Sequence, residues 1–362
     1  MKLYINGRFL TQPMTGVERY AYKMCQALSA NGQSFTIVCP HADIQPCYDV
    51  SSFHIVRFGR GGSHLWEQCV LPFFFLNKRD YLVISFTGLG SILIRRKVMT
   101  IHDLSFLEDP SWFSKAYYWW YKVMTPLAVM TSRAVITVSE FSKREILRFY
   151  SFLQPERIHV IYGAVDSQLF KHEPSSASQL PSAVSQLPSS TPYVLAVSSL
   201  DPRKNFKRLV QAFQHISDCH LCIVGSHNRV FTDGTDADST ATNIKYLGRV
   251  TDDELVSLYN HAACFIFPSL YEGFGLPPLE AMACGCPVLA SNIPVISEVC
   301  GGAARYFNPL DPDDILRAVT QYLAHADVIK ETMRQRGYDN VTRFSWQQSA
   351  KKLIEKLQQM SC

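Results

Sequence analysis

Short runs of apolar, often β-branched residues recur along the chain and alternate with segments whose apolar residues are three or four positions apart. The runs are typical of buried strands, and the spaced segments are typical of helices that bury one face. Strands are predicted at residues 3–6, 35–39, 54–58, 82–86, 98–101, 134–138, 158–162, 193–198, 221–224, 244–247, 264–267 and 288–290. This alternation predicts parallel sheets with helices on both faces, which is an α/β fold.

The sequence also contains patterns that indicate where helices begin. The patterns Ser142-x-x-Glu145 and Thr251-x-x-Glu254 are typical of capping boxes, in which two side chains satisfy the first free amides of a helix. In the second half, helices are predicted at residues 205–216, 252–259, 277–284 and 346–360. The last of these is amphipathic and ends the chain.

A change of composition divides the chain into two halves. Residues 172–191 are rich in Ser, Pro and Gln and can bury little, which is typical of a linker or an exposed excursion. We predict an N-terminal Rossmann-like domain over residues 1–170, a linker over 171–192, and a C-terminal Rossmann-like domain over 193–340. Residues 341–362 are predicted to pack back on the N-terminal domain. The two domains are expected to face each other across a central cleft, because ligands of α/β folds bind at the carboxyl ends of the strands.

The composition is that of an ordinary globular protein, with 47% hydrophobic and 18% charged residues. No apolar run approaches the roughly 18–20 residues that a membrane span needs, and no signal-peptide pattern is present, so a cytoplasmic protein is expected. The eleven cysteines are scattered, and reduced thiols are expected. The pair Cys219-x-x-Cys222 is interpreted as core packing rather than as half of a zinc or redox site.

Basic residues are concentrated in the first half, where residues 1–170 hold 18 Lys and Arg against 12 Asp and Glu. Such an excess suits an acidic partner such as a lipid phosphate or a membrane surface, and a solvated surface accounts for it equally well. The basic residues are too sparse for a nucleic-acid-binding module, so no nucleic acid partner is expected. The sequence leaves the oligomeric state open.

The strongest chemical signal follows the strand predicted at residues 264–267. A glycine-rich turn, Glu272-Gly273-Phe274-Gly275, leads into a helix that opens with two prolines. Glycines let backbone amides approach an anion, and the amino end of the helix adds partial positive charge. These features predict a diphosphate site between two carboxylates, Glu272 and Glu280, which can accept hydrogen bonds from sugar hydroxyls.

The whole segment 271–292 (YEGFGLPPLEAMACGCPVLASN) strongly resembles glycosyltransferase family 4, whose members are retaining enzymes of the GT-B fold. The resemblance covers nearly the whole chain apart from the linker. It implies that Glu272 contacts the donor hexose and Glu280 the ribose hydroxyls. The turn residues that it places against the sugar and diphosphate are Gly273, Phe274, Gly275 and Leu276.

Residues 199–205 (SLDPRKN) resemble the basic segment with which the family binds the diphosphate. Lys204 matches the lysine that neutralises the β-phosphate, and Arg203 precedes it. Many members carry an arginine about six positions before the lysine, where this chain has Ser198, so Arg203 is expected to compensate. A surface salt bridge is the alternative for Arg203. Gly225, Arg249 and Val250 are expected to line the nucleobase pocket.

In the first half, residues 14–19 (MTGVER) resemble the family's glycine loop, in which the amide of Gly16 approaches the donor phosphate. His102 follows a strand in the sequence IHD, where the family places a histidine that contacts the sugar. Asp103 and Glu140 are candidates for contact with the acceptor. The alternatives are that Asp103 caps a turn and that Glu140 belongs to a helix cap.

The expected chemistry uses no metal and no cofactor. Asp236-x-Asp238 and Asp311-x-Asp313 have the spacing of a metal-binding motif, but both are interpreted as surface turns. Arg203, Lys204 and a helix dipole would supply the positive charge instead. The resemblance implies substitution on the same face of the sugar. A phosphorylase or epimerase and a non-catalytic sugar-nucleotide-binding subunit of an assembly complex are the alternatives.

The donor and acceptor are inferred from two longer strings, GRFLTQPMTGVERY and RKNFKRLVQAF, which resemble bacterial transferases that build O-antigen or exopolysaccharide. GDP-mannose is therefore the favoured donor, with UDP- and dTDP-sugars as alternatives, and the favoured acceptor is a lipid-diphosphate-linked glycan. Residues 113–121 (FSKAYYWWY) and the basic run at 95–97 suit peripheral docking on the inner face of the cytoplasmic membrane. Core packing of that helix is the alternative.

Overall fold

The computed structural model describes residues 1–61, 64–173, 180–185, 187–188, 191–225 and 242–360. Contacts divide the chain into two compact units. The first consists of Met1–Leu107, Tyr118–Gly163 and Ser345–Cys362, and the second of Glu108–Tyr117 and Ala164–Phe344. The second unit thus includes a short segment, Glu108–Tyr117, and residues 164–170, which the sequence placed in the N-terminal domain.

Each unit contains one sheet in which all described pairings are parallel. The first sheet has the order β3-β2-β1-β4-β5-β6-β7 and the second the order β10-β9-β8-β11-β12-β13. The strands are β1 Lys2–Asn6, β2 Thr36–Cys39, β3 Ile55–Arg57, β4 Tyr81–Ser85, β5 Lys97–Ile101, β6 Ala134–Thr137, β7 Ile158–Val160, β8 Tyr193–Val197, β9 His220–Val224, β10 Ile244–Gly248, β11 Cys264–Phe267, β12 Val288–Ser291 and β13 Ala304–Phe307. The predicted pair of Rossmann-like α/β domains is confirmed.

Helices connect the strands and cover the sheets. They are α1 Gly16–Ala30, α2 Leu71–Phe75, α3 Ser105–Glu108, α4 Lys115–Thr131, α5 Glu140–Phe149, α6 Ser182–Ser185, α7 Phe206–Phe213, α8 Asp252–His261, α9 Leu276–Ala283, α10 Pro294–Cys300, α11 Pro312–Leu323, α12 Asp327–Val341 and α13 Trp346–Gln359. A π-helical turn, Trp66–Val70, runs directly into α2.

The last helix packs within the first unit. Ser349 on α13 donates a hydrogen bond to the carbonyl oxygen of Tyr162 over 2.8 Å. The indole of Trp346 meets the ring of Tyr20 on α1 edge-on, with 5.5 Å between centroids. The apolar face of α13, which includes buried Leu353 and Leu357, is thereby covered.

The central strands are buried on both faces, as parallel sheets with helices on each side require. All four residues of β11 and all four of β12 are buried. Cys219 and Cys222 are fully buried as well, and burial raises the pKa of each thiol to about 12. Two uncharged thiols in the core agree with the packing interpretation of this pair.

Both sheets change the direction of strand order at one place, between β1 and β4 in the first and between β8 and β11 in the second. At such a point the loops from the carboxyl ends of two neighbouring strands leave toward opposite faces of the sheet. A crevice therefore opens between them, and ligands of α/β folds bind there. In the second unit, the loops after β8 and β11 are those that carry the predicted diphosphate residues.

Candidate active site

A buried ion pair lies at the carboxyl ends of β8 and β11. After β8 the chain forms a short 3-10 turn, Pro202–Lys204, and after β11 it forms the glycine-rich turn that contains Glu272. The ammonium nitrogen of Lys204 is 2.5 Å from Oε1 of Glu272. Both residues are less than one tenth exposed. The structure thus joins, at the crevice, two of the residues that the sequence singled out from separate segments.

The residue after the lysine fixes this arrangement. Asn205 has φ +60°, the one positive φ among the described residues other than glycine. Its buried carboxamide nitrogen donates to the carbonyl oxygens of Pro268 over 3.1 Å and Pro309 over 2.7 Å. The amide of Leu270 also donates to the carbonyl oxygen of Arg203 over 2.7 Å. Asn205 therefore ties together the loops that follow β8, β11 and β13.

Replacing Asn205 with alanine is expected to lower the free energy of unfolding by about 2–4 kcal/mol, because two buried carbonyl groups lose their donor and alanine tolerates positive φ poorly. Replacing it with glycine removes the same hydrogen bonds but permits the backbone conformation. Chemical denaturation of both variants checks this. An alanine variant as stable as the wild type would contradict the role given to the carboxamide.

Arg203 is held in place by a second, mostly buried ion pair. Its Nε lies 3.2 Å from Oδ1 of Asp201, whose side chain is inaccessible to solvent. The hydroxyl of Ser199 donates to the other carboxylate oxygen over 2.7 Å. The surface salt bridge considered for Arg203 is therefore wrong in its location, since the partner lies in the interior. Asp201 therefore holds the Arg203 guanidinium in the same turn that carries Lys204.

The glycine-rich turn leads into α9 as the sequence predicted. Gly275 is the residue immediately before the helix and has φ +113°, a conformation that favours glycine. Pro277 lies in the first turn of the helix, and Gly273 and Phe274 are buried in the turn before it. Because the first amides of a helix carry partial positive charge, an anion held by this turn would be stabilised.

Glu280 projects from α9 and is half-buried. The hydroxyl of Tyr259 on α8 donates to its Oε2 over 3.4 Å. Burial raises the pKa of Tyr259 well above its usual value, so the phenol remains a proton donor. Tyr259 therefore orients the Glu280 carboxylate, and this contact was not predictable from the sequence because the two residues lie on different helices.

The remaining predicted donor contacts lie at the ends of β8, β9 and β10. The amide of Gly225 donates to the carbonyl oxygen of Gly248 over 2.9 Å. A β-carbon on Gly225 would stand 1.8 Å from the carbonyl oxygen of Ser198, so only glycine fits there. Arg249 is exposed and Val250 is half-buried. Backbone atoms dominate this edge of the second unit.

His102 lies at the end of β5 in the first unit. Its Nε2 is 2.8 Å from the carbonyl oxygen of Phe86, and the ring of Tyr20 packs against it edge-on. Because a carbonyl oxygen only accepts, Nε2 carries the proton and Nδ1 is left as an acceptor. Burial lowers the pKa of His102, so the ring is neutral at neutral pH. A neutral imidazole with an acceptor nitrogen suits contact with a hydroxyl group.

The other predicted residues of the first unit lie on or beside helix starts. Gly16 is exposed and opens α1, with open space where a β-carbon would lie. Asp103 accepts hydrogen bonds from the amide of Ser105 over 3.0 Å and from its hydroxyl over 2.6 Å, which agrees with the capping alternative. Glu140 is exposed in the first turn of α5.

The structure corrects one predicted helix cap. Ser139, not Ser142, caps α5: its hydroxyl accepts from the amide of Ser142 over 2.9 Å. Ser139 has the extended backbone that a cap requires, whereas Ser142 already lies in the first turn. The other predicted capping box is confirmed, with Thr251 and Glu254 each bonded to the other's backbone amide.

A polar cluster at the strand-order reversal of the first sheet was missed by sequence analysis. The carboxamide of Asn6, at the end of β1, donates to Glu67 over 2.5 Å and to the hydroxyl of Ser85 over 3.3 Å. Arg8 lies 3.8 Å from the same carboxylate and donates to the carbonyl oxygen of Thr87. Glu67 is 1% exposed. Its place within an apolar helical run gave no functional signal.

The two Asp-x-Asp patterns have different outcomes. Asp311 caps α11, because its carboxylate accepts from the amide of Asp313 over 3.0 Å. The pattern at Asp236 and Asp238 lies outside the described residues. Within the described part of the chain, no group of three His, Cys, Asp or Glu side chains is arranged to hold a metal ion.

Comparison with known protein families gives two matches. Residues 14–169 match the family described as Glycosyltransferase Family 4. Residues 180–340 match the family described as Glycosyl transferases group 1. The matches divide at the Ser, Pro and Gln-rich segment and together span most of the chain.

Several similar proteins are named as mannosyltransferases. The chain is 28% identical to the O-antigen chain mannosyltransferase B of Escherichia coli, over 96% of this chain and 97% of the relative. It is 30% identical to the O-antigen chain mannosyltransferase RfbU of Salmonella typhimurium, over 60% of this chain and 58% of the relative. It is also 30% identical to the serotype-specific mannosyltransferase WbdA of Escherichia coli, over 72% of this chain but 33% of that longer protein.

Solved structures with the same fold share little sequence. The sucrose-phosphate synthase of Thermosynechococcus elongatus has a TM-score of 0.74 at 19% identity, over 99% of this chain and 98% of the other. HepE of Anabaena, in complex with UDP and glucose, has a TM-score of 0.76 at 18% identity over 99% of both chains. WaaG, which takes part in lipopolysaccharide biosynthesis, has a TM-score of 0.71 at 13% identity over 98% of both. These likenesses establish the fold alone, which is GT-B.

Proposed function

The chain belongs to the glycosyltransferases, with Glycosyltransferase Family 4 in its first half and group 1 in its second, and we propose that it transfers mannose from GDP-mannose. The acceptor in this proposal is a lipid-diphosphate-linked glycan of O-antigen or another surface polysaccharide. The observation that carries the proposal is the likeness to an O-antigen mannosyltransferase over nearly the full length of both chains.

The buried Lys204–Glu272 pair is the centre of the proposed donor site. A lysine and an arginine in one turn provide two positive charges for a diphosphate, and the start of α9 adds its dipole. When the donor binds, Lys204 turns from Glu272 to the β-phosphate, and the carboxylate is released toward the hexose hydroxyls. Glu280, oriented by Tyr259, binds the ribose hydroxyls. Gly225, Arg249 and Val250 line the base.

The proposed reaction proceeds with retention and without a metal. The bond between C1 of mannose and the β-phosphate oxygen breaks, and the acceptor oxygen bonds to C1 on the same face. The proton of the acceptor hydroxyl passes to an oxygen of the departing diphosphate, and GDP leaves. Arg203 and Lys204 stabilise the negative charge that develops on the diphosphate, so the role of a divalent ion is filled by side chains.

The first unit supplies the remaining groups in this proposal. Neutral His102 accepts a hydrogen bond from a sugar hydroxyl through Nδ1, and the amide of Gly16 approaches the donor phosphate. Asp103 and Glu140 face the acceptor. None of the helices within the described residues is long and apolar enough to cross a bilayer. We place the chain at the inner face of the cytoplasmic membrane, where it would meet a lipid-linked acceptor.

Thermal stabilisation by nucleotides tests the donor. A ligand that binds only the folded state adds about 2.7 kcal/mol when present at a hundred times its Kd. GDP and GDP-mannose are expected to raise Tm, and UDP, dTDP and their sugars are expected to leave it unchanged. A rise with UDP or dTDP alone would assign the donor to that nucleotide. The absence of a shift with every nucleotide would contradict the proposed donor site.

A further inference from the structure

Helix α4 presents apolar side chains to solvent along one whole face. Trp119, Val123, Leu127 and Met130 are 58%, 53%, 42% and 63% exposed. Their spacing of four, four and three positions places them on one face of the helix. The buried residues of α4, which are Thr125, Ala128 and Val129, lie on the opposite face. A surface helix ordinarily has polar residues on its outer face, so the large apolar side chains on the outer face of α4 are unusual.

A neighbouring helical segment has the same property. Leu65, Phe73 and Leu76, in and around the π-helical turn and α2, are 69%, 65% and 71% exposed. The other side of this segment is buried against β1 and β4, through Trp66, Leu71 and Phe75. The ring of His64, which precedes the turn, lies 5.9 Å from that of Trp120 on α4. The two helical segments therefore adjoin at this contact, and we call their exposed apolar side chains together the α2–α4 face.

A basic groove continues this face beyond the end of α2. The groove has a volume of about 670 Å³, and its apolar lining includes Phe73, Leu76 and Leu93, the last of them 68% exposed. Its charged lining consists of four cations, Lys78, Arg79, Arg95 and Arg96. No carboxylate is among the described residues that line it. Asp80, next in sequence to Arg79, is 3.0 Å from the amino terminus of Met1.

We propose that the α2–α4 face is the surface by which this chain docks on an anionic phospholipid membrane. Soluble monomers rarely leave large contiguous apolar surfaces open to water. Tryptophan and aliphatic side chains enter the region between headgroups and acyl chains. The four cations of the groove would pair with headgroup phosphates. Lys122, whose ammonium is 4.9 Å from the ring centre of Trp119, flanks the apolar face and can extend to a headgroup.

Charge favours a membrane over a second copy of the chain. In a symmetric dimer both halves of the interface are this same surface, and the described lining of the second copy's groove would offer the four cations no carboxylate. An anionic lipid surface offers the opposite charge, and each Lys or Arg near it contributes attraction that salt weakens. The inference deepens the proposed function, since a lipid-linked acceptor lies in such a membrane, and it rests on that function only for the identity of the acceptor.

Sedimentation with vesicles tests this surface without donor or acceptor. The full chain is mixed with vesicles of phosphatidylglycerol and phosphatidylcholine, or of phosphatidylcholine alone, at two salt concentrations. We expect binding to the anionic vesicles that weakens with salt. Val123→Glu combined with Leu127→Glu is expected to weaken binding at least about tenfold, because two charged groups then enter the apolar interface. Val328→Glu, at a 77% exposed position of the second unit, is the matched control and is expected to bind normally.

The groove is tested by a second pair of substitutions. Arg79→Gln combined with Arg95→Gln is expected to weaken binding to anionic vesicles by about fivefold for each charge removed. Stabilisation by GDP is expected to persist in all these variants, so failure of the membrane surface is distinguishable from failure of the donor site. The proposal would be overturned if the wild-type protein did not bind anionic vesicles. It would also be overturned if the variant with Val123→Glu and Leu127→Glu bound them like the control. Dimerisation that Val123→Glu and Leu127→Glu abolish would instead assign the face to a second copy.

Discussion

Replacing Glu272 with glutamine is expected to reduce glycosyl transfer at least about 100-fold, the scale of losing one well-placed electrostatic contact in an active site. Glutamine keeps the shape of the side chain and an oxygen that can accept from Lys204, but it removes the negative charge. The fold is expected to persist. The Lys204 ammonium loses its counter-charge, but it keeps a hydrogen-bond acceptor beside it. Release of the nucleoside diphosphate and thermal denaturation measure the two effects.

Glutamine is the informative substitution because of the pair that the structure shows. Alanine at position 272 would leave the Lys204 ammonium buried without a partner, at a cost of about 3–5 kcal/mol, and lost activity would then be confounded with lost stability. Glu331→Gln is the matched control, since its exposed ion pair with Arg334 contributes little. Near-normal turnover by the Glu272→Gln variant would remove Glu272 from the active site.

Replacing Lys204 with methionine is expected to impair both stability and transfer. The Glu272 carboxylate would lose its buried partner, which costs about 3–5 kcal/mol, and the diphosphate would lose a positive charge, with a loss of transfer of about 100-fold or more. Adding Glu272→Gln to Lys204→Met is expected to restore much of the stability but none of the activity. Such non-additivity is the signature of two residues in direct contact.

Denaturation curves and transfer rates of the two single variants and the double variant measure this coupling. Lys207→Met, at an exposed lysine one residue into α7, is the control and is expected to be stable and active. Additive losses of stability in the double variant would show that the ion pair does not exist in solution. Recovery of transfer in the double variant would show that Lys204 serves only to neutralise Glu272.

The fold was largely predictable because its strands are continuous apolar runs. Strand β11, Cys264–Phe267, has the predicted bounds, because a fully buried parallel strand is apolar from its first residue to its last. Strand β13, Ala304–Phe307, was missed. It lies at the edge of its sheet, where three of its four residues are only half-buried and one of them is Arg305. An edge strand needs fewer apolar residues, so it produces no run.

The site was predictable in its residue types but not in its contacts. Family resemblance pointed to Lys204 and Glu272 separately, and their 2.5 Å ion pair spans 68 positions of sequence. The supports were not predictable for the same reason: Asn205 reaches carbonyl groups 63 and 104 positions away. Nothing local in the string RKN indicates a positive φ or a carboxamide that joins three loops.

The aromatic run at residues 113–121 shows why composition alone left two interpretations. Phe113 is 6% exposed and stacks on Tyr117 with ring centres 5.1 Å apart, as the core-packing interpretation predicts. Trp119 is 58% exposed, as the membrane-docking interpretation predicts. Aromatic content is the same in both cases. Only the direction of each side chain separates the two interpretations, and that direction depends on tertiary packing.

The central claim is a retaining, metal-independent transfer of mannose from GDP-mannose. It is tested most directly by incubating the chain with GDP-mannose and a polyprenyl-diphosphate-linked saccharide in excess EDTA, followed by NMR of the product. We predict release of GDP and a new mannosyl linkage with the α configuration of the donor, at a rate within about twofold of that without EDTA, because side chains supply the charge. A β linkage, or transfer that returns only when a divalent metal is added, would contradict the claim.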